Sequence, residues 1–245
     1  PSGKVLYPKD LRGSIDAEID LNGSDLARLN LALKASGHLW MDGQDLEESL
    51  KVKPFEATFN GPLQGGEGAF SLLNIPFSLL ALVAPVPTSF QGGIGLAGTY
   101  RREQGKPEIS AEVILEEAKL EQTEFVLDKG EILISDSLLE MDLALRSQSS
   151  FEPVTLKGKM PLNSTLPVDI RIESHGDGLR FLSGLANGAI DWRTGNADLR
   201  LLLTGSLDAP QANGFVVVNK ADLVAYGQVV NQLNTSIIFD FNRLE

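Results

Sequence analysis

Acid–base, metal and nucleophilic chemistry each need particular side chains held close together, and this chain offers few in a suitable spacing. Glu47-Glu48 and Glu116-Glu117 are adjacent carboxylates, but neighbours on a strand point to opposite faces, so neither pair can readily share a proton. His38 and His175 stand far apart with no ligand spacing around them, which favours structural or surface roles. The absence of cysteine removes disulfides, thiolate zinc sites and cysteine nucleophiles together. Ser183 lies in Leu-Ser-Gly rather than in a Gly-x-Ser-x-Gly elbow. Gly92-Gly93-Ile94-Gly95 carries no following Lys-Ser/Thr, so bends or bulges of a sheet explain these glycines better than a phosphate loop. Asp16, Glu18 and Asp20 have the oxygen ligands calcium takes, but a straight strand face cannot wrap an ion. Trp40 and Trp192 can stack sugars or sit at a membrane interface; with only two, both near turns, packing is preferred. No catalytic residue, metal site or cofactor is expected, and a polysaccharide-cleaving β-solenoid would need clustered carboxylates that the spacing does not provide.

The stronger signal is periodic. Ile15, Ala17, Ile19 and Leu21 alternate with Asp16, Glu18 and Asp20, and Leu29, Leu31, Leu33 and Ala35 with Asn30 and Lys34. Ile109, Ala111, Val113 and Leu115 oppose Ser110, Glu112 and Glu116, with Ile114 as an exception. Leu139, Met141, Leu143 and Leu145 follow the same rule, as do Val168, Ile170 and Ile172, then Leu199, Leu201 and Leu203, and finally Ile237, Phe239 and Phe241. Period two with unlike faces is the mark of antiparallel strands, since parallel α/β strands are apolar on both sides. Asn22-Gly23, Asp42-Gly43, Asn60-Gly61-Pro62, Lys129-Gly130, Gly176-Asp177-Gly178 and Asn187-Gly188 read as turns between them. Phe77–Val83 and Leu179–Leu185 break the alternation and read as two short helices that would plug or cap the sheet. The phase of Phe215-Val216-Val217-Val218 stays open, because all four are apolar.

Charge and length narrow the partners. A net charge of −12, from 33 acidic and 21 basic residues, with basic groups scattered singly or in pairs such as Arg101-Arg102, opposes nucleic-acid binding. The longest apolar run, Ile75 to Val86, is interrupted by Pro76 and Pro85 and is too short to cross ~30 Å of hydrocarbon as a helix. Asn60-Gly61-Pro62, the first helical segment, Gly98-Thr99 and Pro107 recur in order as Lys159-Met160-Pro161, the second helical segment, Gly205-Ser206 and Pro210. One elongated segment over residues 1–245 is therefore expected, with repeats at 60–156 and 157–245 after strands at 1–59, cut from a longer array.

Leu203-Thr204-Gly205-Ser206-Leu207-Asp208-Ala209-Pro210-Gln211-Ala212-Asn213-Gly214, followed by Val216-Val217-Val218 and Ala221-Asp222-Leu223, resembles a recurring phrase of the TamB family (translocation and assembly module, among the AsmA-like, bridge-like lipid transfer proteins). Gly68–Leu80 and Gly158–Leu162 resemble the same family, and the likeness runs from Gly61 to the C-terminus. The resemblance implies a mostly β, elongated antiparallel sheet curled into an open half-pipe with an apolar concave face. It implies a periplasmic segment of an inner-membrane-anchored envelope protein, or its counterpart in the chloroplast intermembrane space. Its expected partners are phospholipid or another acyl lipid, flanking segments of the same protein and, through the full-length protein, an Omp85-type outer-membrane barrel. The expected activity is non-enzymatic passage of acyl chains in support of outer-membrane biogenesis, with β-strand pairing to outer-membrane proteins as the alternative. The groove residues would be Ile15, Ala17, Ile19, Leu21, Leu29, Leu31, Leu33, Ile109, Val113, Leu115, Leu139, Met141, Leu143, Val168, Ile170, Ile172, Leu199, Leu201, Leu203, Ile237, Phe239 and Phe241. Without the resemblance, the same alternation fits a sandwich core closed by a second sheet.

Overall fold

The computed structural model describes residues 11–25, 29–41, 53–62, 64–77, 79, 90–103, 106–120, 123–162, 167–181, 190–206, 209–240 and 243–244. Alternating, β-branched-rich segments joined by turns form strands almost throughout. In chain order these are β1 (Leu11–Asn22), β2 (Asn30–Met41), β3 (Phe55–Pro62), β4 (Gly66–Pro76), β5 (Phe90–Glu103), β6 (Lys106–Leu120), β7 (Thr123–Ser135), β8 (Leu138–Ser147), β9 (Val154–Pro161), β10 (Asp169–Ser174), β11 (Ile190–Ser206), β12 (Ala209–Ala225), β13 (Gln228–Asp240) and the two-residue β14 (Arg243–Leu244). Strand order in the sheet is chain order, and the sheet does not close on itself. The fold is mostly β, antiparallel and open.

The chain divides into two compact units, residues 1–119 and 120–245. Successive antiparallel strands place alternate connections on opposite sides of each unit. In the first unit, the short connections 63–65 and 104–105 join strand ends on one side, while the long connections 42–54 and 77–89 join strand ends on the other. In the second unit, the short connections 136–137 and 207–208 join strand ends on one side, and the long connection 175–189 joins strand ends on the other.

Of the two expected helices, the described portions are 3₁₀ rather than α: Phe77 and Leu79 in the first, and the turn Gly178–Phe181 in the second. The rest of both segments, with Asp42-Gly43 and Asn187-Gly188, lies outside the described residues. Two expected turns are instead internal to strands. Asn60-Gly61-Pro62 belongs to β3, and Lys129-Gly130 belongs to β7 beside a register shift between Leu127 and Lys129. A glycine there serves close approach or a bulge rather than reversal. Two hairpins are formed by residues less obvious as turn-makers, Asp136-Ser137 and Tyr226-Gly227, each with both central residues at positive φ as a two-residue primed turn requires.

Candidate functional site: the apolar sheet faces

Register decides which side chains share a face, and it aligns the apolar set of one strand with that of the next. In the first unit, Ile15, Ala17, Ile19 and Leu21 pair with Gly37, Ala35, Leu33 and Leu31. Leu33 and Ala35 pair in turn with Phe59 and Ala57. Those two meet Phe70 and Leu72, and β4 carries the face on to Tyr100, Gly98, Leu96 and Ile94 of β5. The space above Gly98 is filled by Ala111, which brings Ile109, Val113 and Leu115 of β6 to the same side. The opposite side carries Asp16, Glu18, Lys34, Thr58, Ser71 and the exposed pair Glu67–Arg101 (3.5 Å).

The second unit repeats the rule. Ile132 and Ile134 pair with Met141 and Leu139, and Leu143 with Leu156. Leu156 meets Ile172, which meets Leu201; Gly158 meets Ile170, which meets Leu203. Leu199 pairs with Val216, and Val216 with Ile237. This settles the phase of the four-residue apolar run. Val216 and Val218 are on the apolar face, whereas Phe215 lies opposite Arg200 and Ile238 on the polar one, both Phe215 and Ile238 exposed. That polar face is laced by cross-strand ion pairs: Lys129 and Lys157 on Asp142 (2.7 and 3.3 Å), Lys159 on Glu140 (2.6 Å) and Arg200 on Glu173 (3.0 Å). The Asp142 carboxyl is held below its ordinary value, chiefly by the Lys129 hydrogen bond and then by Lys157, against the opposing cost of desolvation.

Cover over these faces is uneven. Ile15, Ile19 and Leu21 are 61%, 61% and 56% exposed, and Leu31 and Leu33 are half-buried. Val113, Leu115, Leu139, Met141, Leu143, Ile172, Leu199, Leu201, Leu203 and Ile237 are also half-buried. Other places are sealed: Phe55, Phe77 and Ala111 are buried in the first unit, and a cluster is buried in the second. Leu179 of the 3₁₀ turn, Ala197, Val218 and Ala221 form a buried cluster against which Val154, Trp192, Leu199, Val216 and Leu233 pack. The turn is tied down by Ala197 N–H donating to Gly176 O (2.7 Å) and by Asp177 Oδ1, which accepts from the backbone N–H groups of Phe151 and Glu152.

Most expected groove residues thus fall on these two faces. Ala17 is exposed among them. Ile109 is half-buried on β6, Ile170 is buried on β10, and Leu29 and Val168 sit just ahead of β2 and β10, with Val168 buried. The backbone of Phe239 pairs with Gly214 in β13; Phe241 lies outside the described residues. The expectation missed Phe55, Phe59, Phe70, Leu72, Leu96, Tyr100, Leu156 and Met160, although Phe55, Ala57 and Phe59 alternate with Glu56 and Thr58 as plainly as any. Among the described residues all strands belong to one sheet, so the second sheet of a sandwich is not among them. No group of three or more potential ligands could hold a metal ion among these residues. Comparisons with protein-family models, curated proteins and solved structures find no match.

Proposed function

We propose that the chain shields acyl chains of phospholipid on its apolar faces, as a periplasmic part of an envelope protein that carries lipid between membranes. Supporting this reading is one observation above all: strand after strand delivers its apolar residues in register to one face, and most of them remain half-buried or exposed, with no second sheet over them among the described residues. Apolar surface left this way normally marks a binding surface. Burying one methylene is worth ~0.8 kcal/mol, so a tail crossing water alone faces on the order of 10 kcal/mol. An apolar floor along each unit lowers that barrier, and the ion-paired polar face keeps the open sheet soluble. The TamB resemblance points the same way and adds an Omp85-type barrel as distant partner.

Native mass spectrometry of the purified chain tests the reading. Phospholipid should co-purify, and Leu201→Arg or Val113→Arg should abolish it while the far-UV spectrum stays β-rich. Unchanged lipid content in both variants would overturn the proposal.

The second reading is strand pairing with unfolded outer-membrane proteins. It is favoured by β1, twelve residues long and without a bulge in its pairing to β2, whose other edge has no partner strand among the described residues. It expects binding of β-barrel peptides and indifference to lipid.

A further inference from the structure

The apolar face of the first unit is chemically different at its two sides. On the side of the short connections, the face ends at Arg102, which sits two residues beyond Tyr100 and opposite Gly66 with no register shift between them. Arg101, its neighbour, turns to the polar face and pairs with Glu67. Arg102 is exposed, and no described carboxylate side chain lies within ion-pair distance of it.

The floor leading inward from Arg102 is aromatic and open. Tyr100 stacks on Phe59 (5.2 Å between centroids, 16° between planes) and donates its hydroxyl to Pro62 O at 2.7 Å. Its ring lies over Gly61 and Gly68, where any Cβ would collide with it. The ring is thereby pressed flat, and its phenol has spent its proton within the protein. Beyond it run Phe70, Leu72 and Leu96.

On the side of the long connections, the charges are of the other sign. Lys53 is matched by Glu117 at 2.8 Å, and Glu116 stands beside them, accepting from Asn74 N–H at 3.4 Å. One end of the floor is therefore positive and the other net negative, and the steps along β5 from Ile94 to Arg102 span roughly 26 Å at ~3.3 Å each.

From this polarity, and resting on the acyl-binding reading above, we infer that the first unit takes a single-chain amphiphile with an oxyanion head, carboxylate or phosphate, held by Arg102 while its tail runs over Tyr100, Phe59, Phe70 and Leu96 toward the long connections. A guanidinium binds either oxyanion through two parallel N–H donors, a geometry an ammonium lacks. The reversed orientation would bring the anion to the end where Glu117 already holds Lys53 and Glu116 adds a further negative charge.

Displacement of a fluorescent fatty acid from the full chain tests this, with palmitate, its uncharged glycerol monoester, a lysophosphatidate and inorganic phosphate as competitors. Palmitate and lysophosphatidate should compete better than the monoester, and inorganic phosphate should not compete. Arg102→Gln should weaken the two anionic competitors about tenfold and leave the monoester unchanged. Arg102→Lys should restore part of the loss, and Arg101→Gln should have no effect. Equal loss for charged and neutral competitors, or none for either, overturns the anchor, as does competition by free phosphate matching that of palmitate. If neither palmitate nor its monoester binds the wild-type chain, the acyl-binding reading itself fails and the anchor with it.

Discussion

At β1 the side chains of Ile15, Ile19 and Leu21 stand more than half in water, while in the second unit Leu179 presses on Ala197, Val218 and Ala221 until both alanines lose all exposure. The two faces are built by the same alternation and the same register. They differ in what lies over them among the described residues: nothing covers the side chains of β1, whereas a 3₁₀ turn covers part of β11 and β12. A single 3₁₀ turn, anchored through Gly176 and Asp177, gives the second unit a small packed core, which a bare sheet face lacks. Openness is therefore a local property: within the first unit itself β1 stands in water while Phe55, Phe77 and Ala111 are buried.

The largest break in this contrast should come from Leu179→Ala. Removing a buried leucine side chain costs about 3 kcal/mol, so the urea midpoint of the second unit should fall sharply and apolar-dye binding should rise; an unchanged midpoint would mean the turn contributes no core. Gly68→Val comes next, since its Cβ meets the Tyr100 ring, and about 2 kcal/mol of overpacking should appear in the first unit only. Hydrogen exchange resolved by segment would show whether the second unit feels it. Asp142→Asn should cost at most about 1 kcal/mol, because its ion pairs are partly solvated. A carboxyl depressed in the folded state stabilises above its ordinary value of 3.8 and loses that contribution as the pH falls through its lower folded value. The variant should thus trail the wild type near about pH 7 and converge with it near about pH 2, read by thermal melts across pH. Smallest is Ile19→Lys, within about 0.5 kcal/mol, because the side chain it replaces is already wet. A loss of 2 kcal/mol or more would show that β1 is covered in solution.

Alternation made the strands and their faces legible, because a strand with one wet side must write that fact into every second residue. Chain reversal was less legible. Asp136-Ser137 reverses β7 into β8 without glycine, whereas Gly61 and Gly130, which look like turn residues, are spent on the Tyr100 contact and beside a bulge. The apolar run at Phe215–Val218 could be phased only by its neighbours, Leu199 and Ile237 on one side and Arg200 and Ile238 on the other. Arg102 was invisible for a related reason. As one of two adjacent arginines it looked like scattered surface charge, and only the pairing of β4 with β5 puts it at the end of an aromatic floor.

Because strand order repeats chain order, each strand's partner along the sheet is the segment synthesised just before it. Assembly within a unit can then proceed like a zipper, every new hairpin docking on an edge already formed and closing only a short loop of chain. A polypeptide delivered end first through a narrow pore has no need to wait for its distal half, and its unfinished product is simply a narrower version of the final sheet.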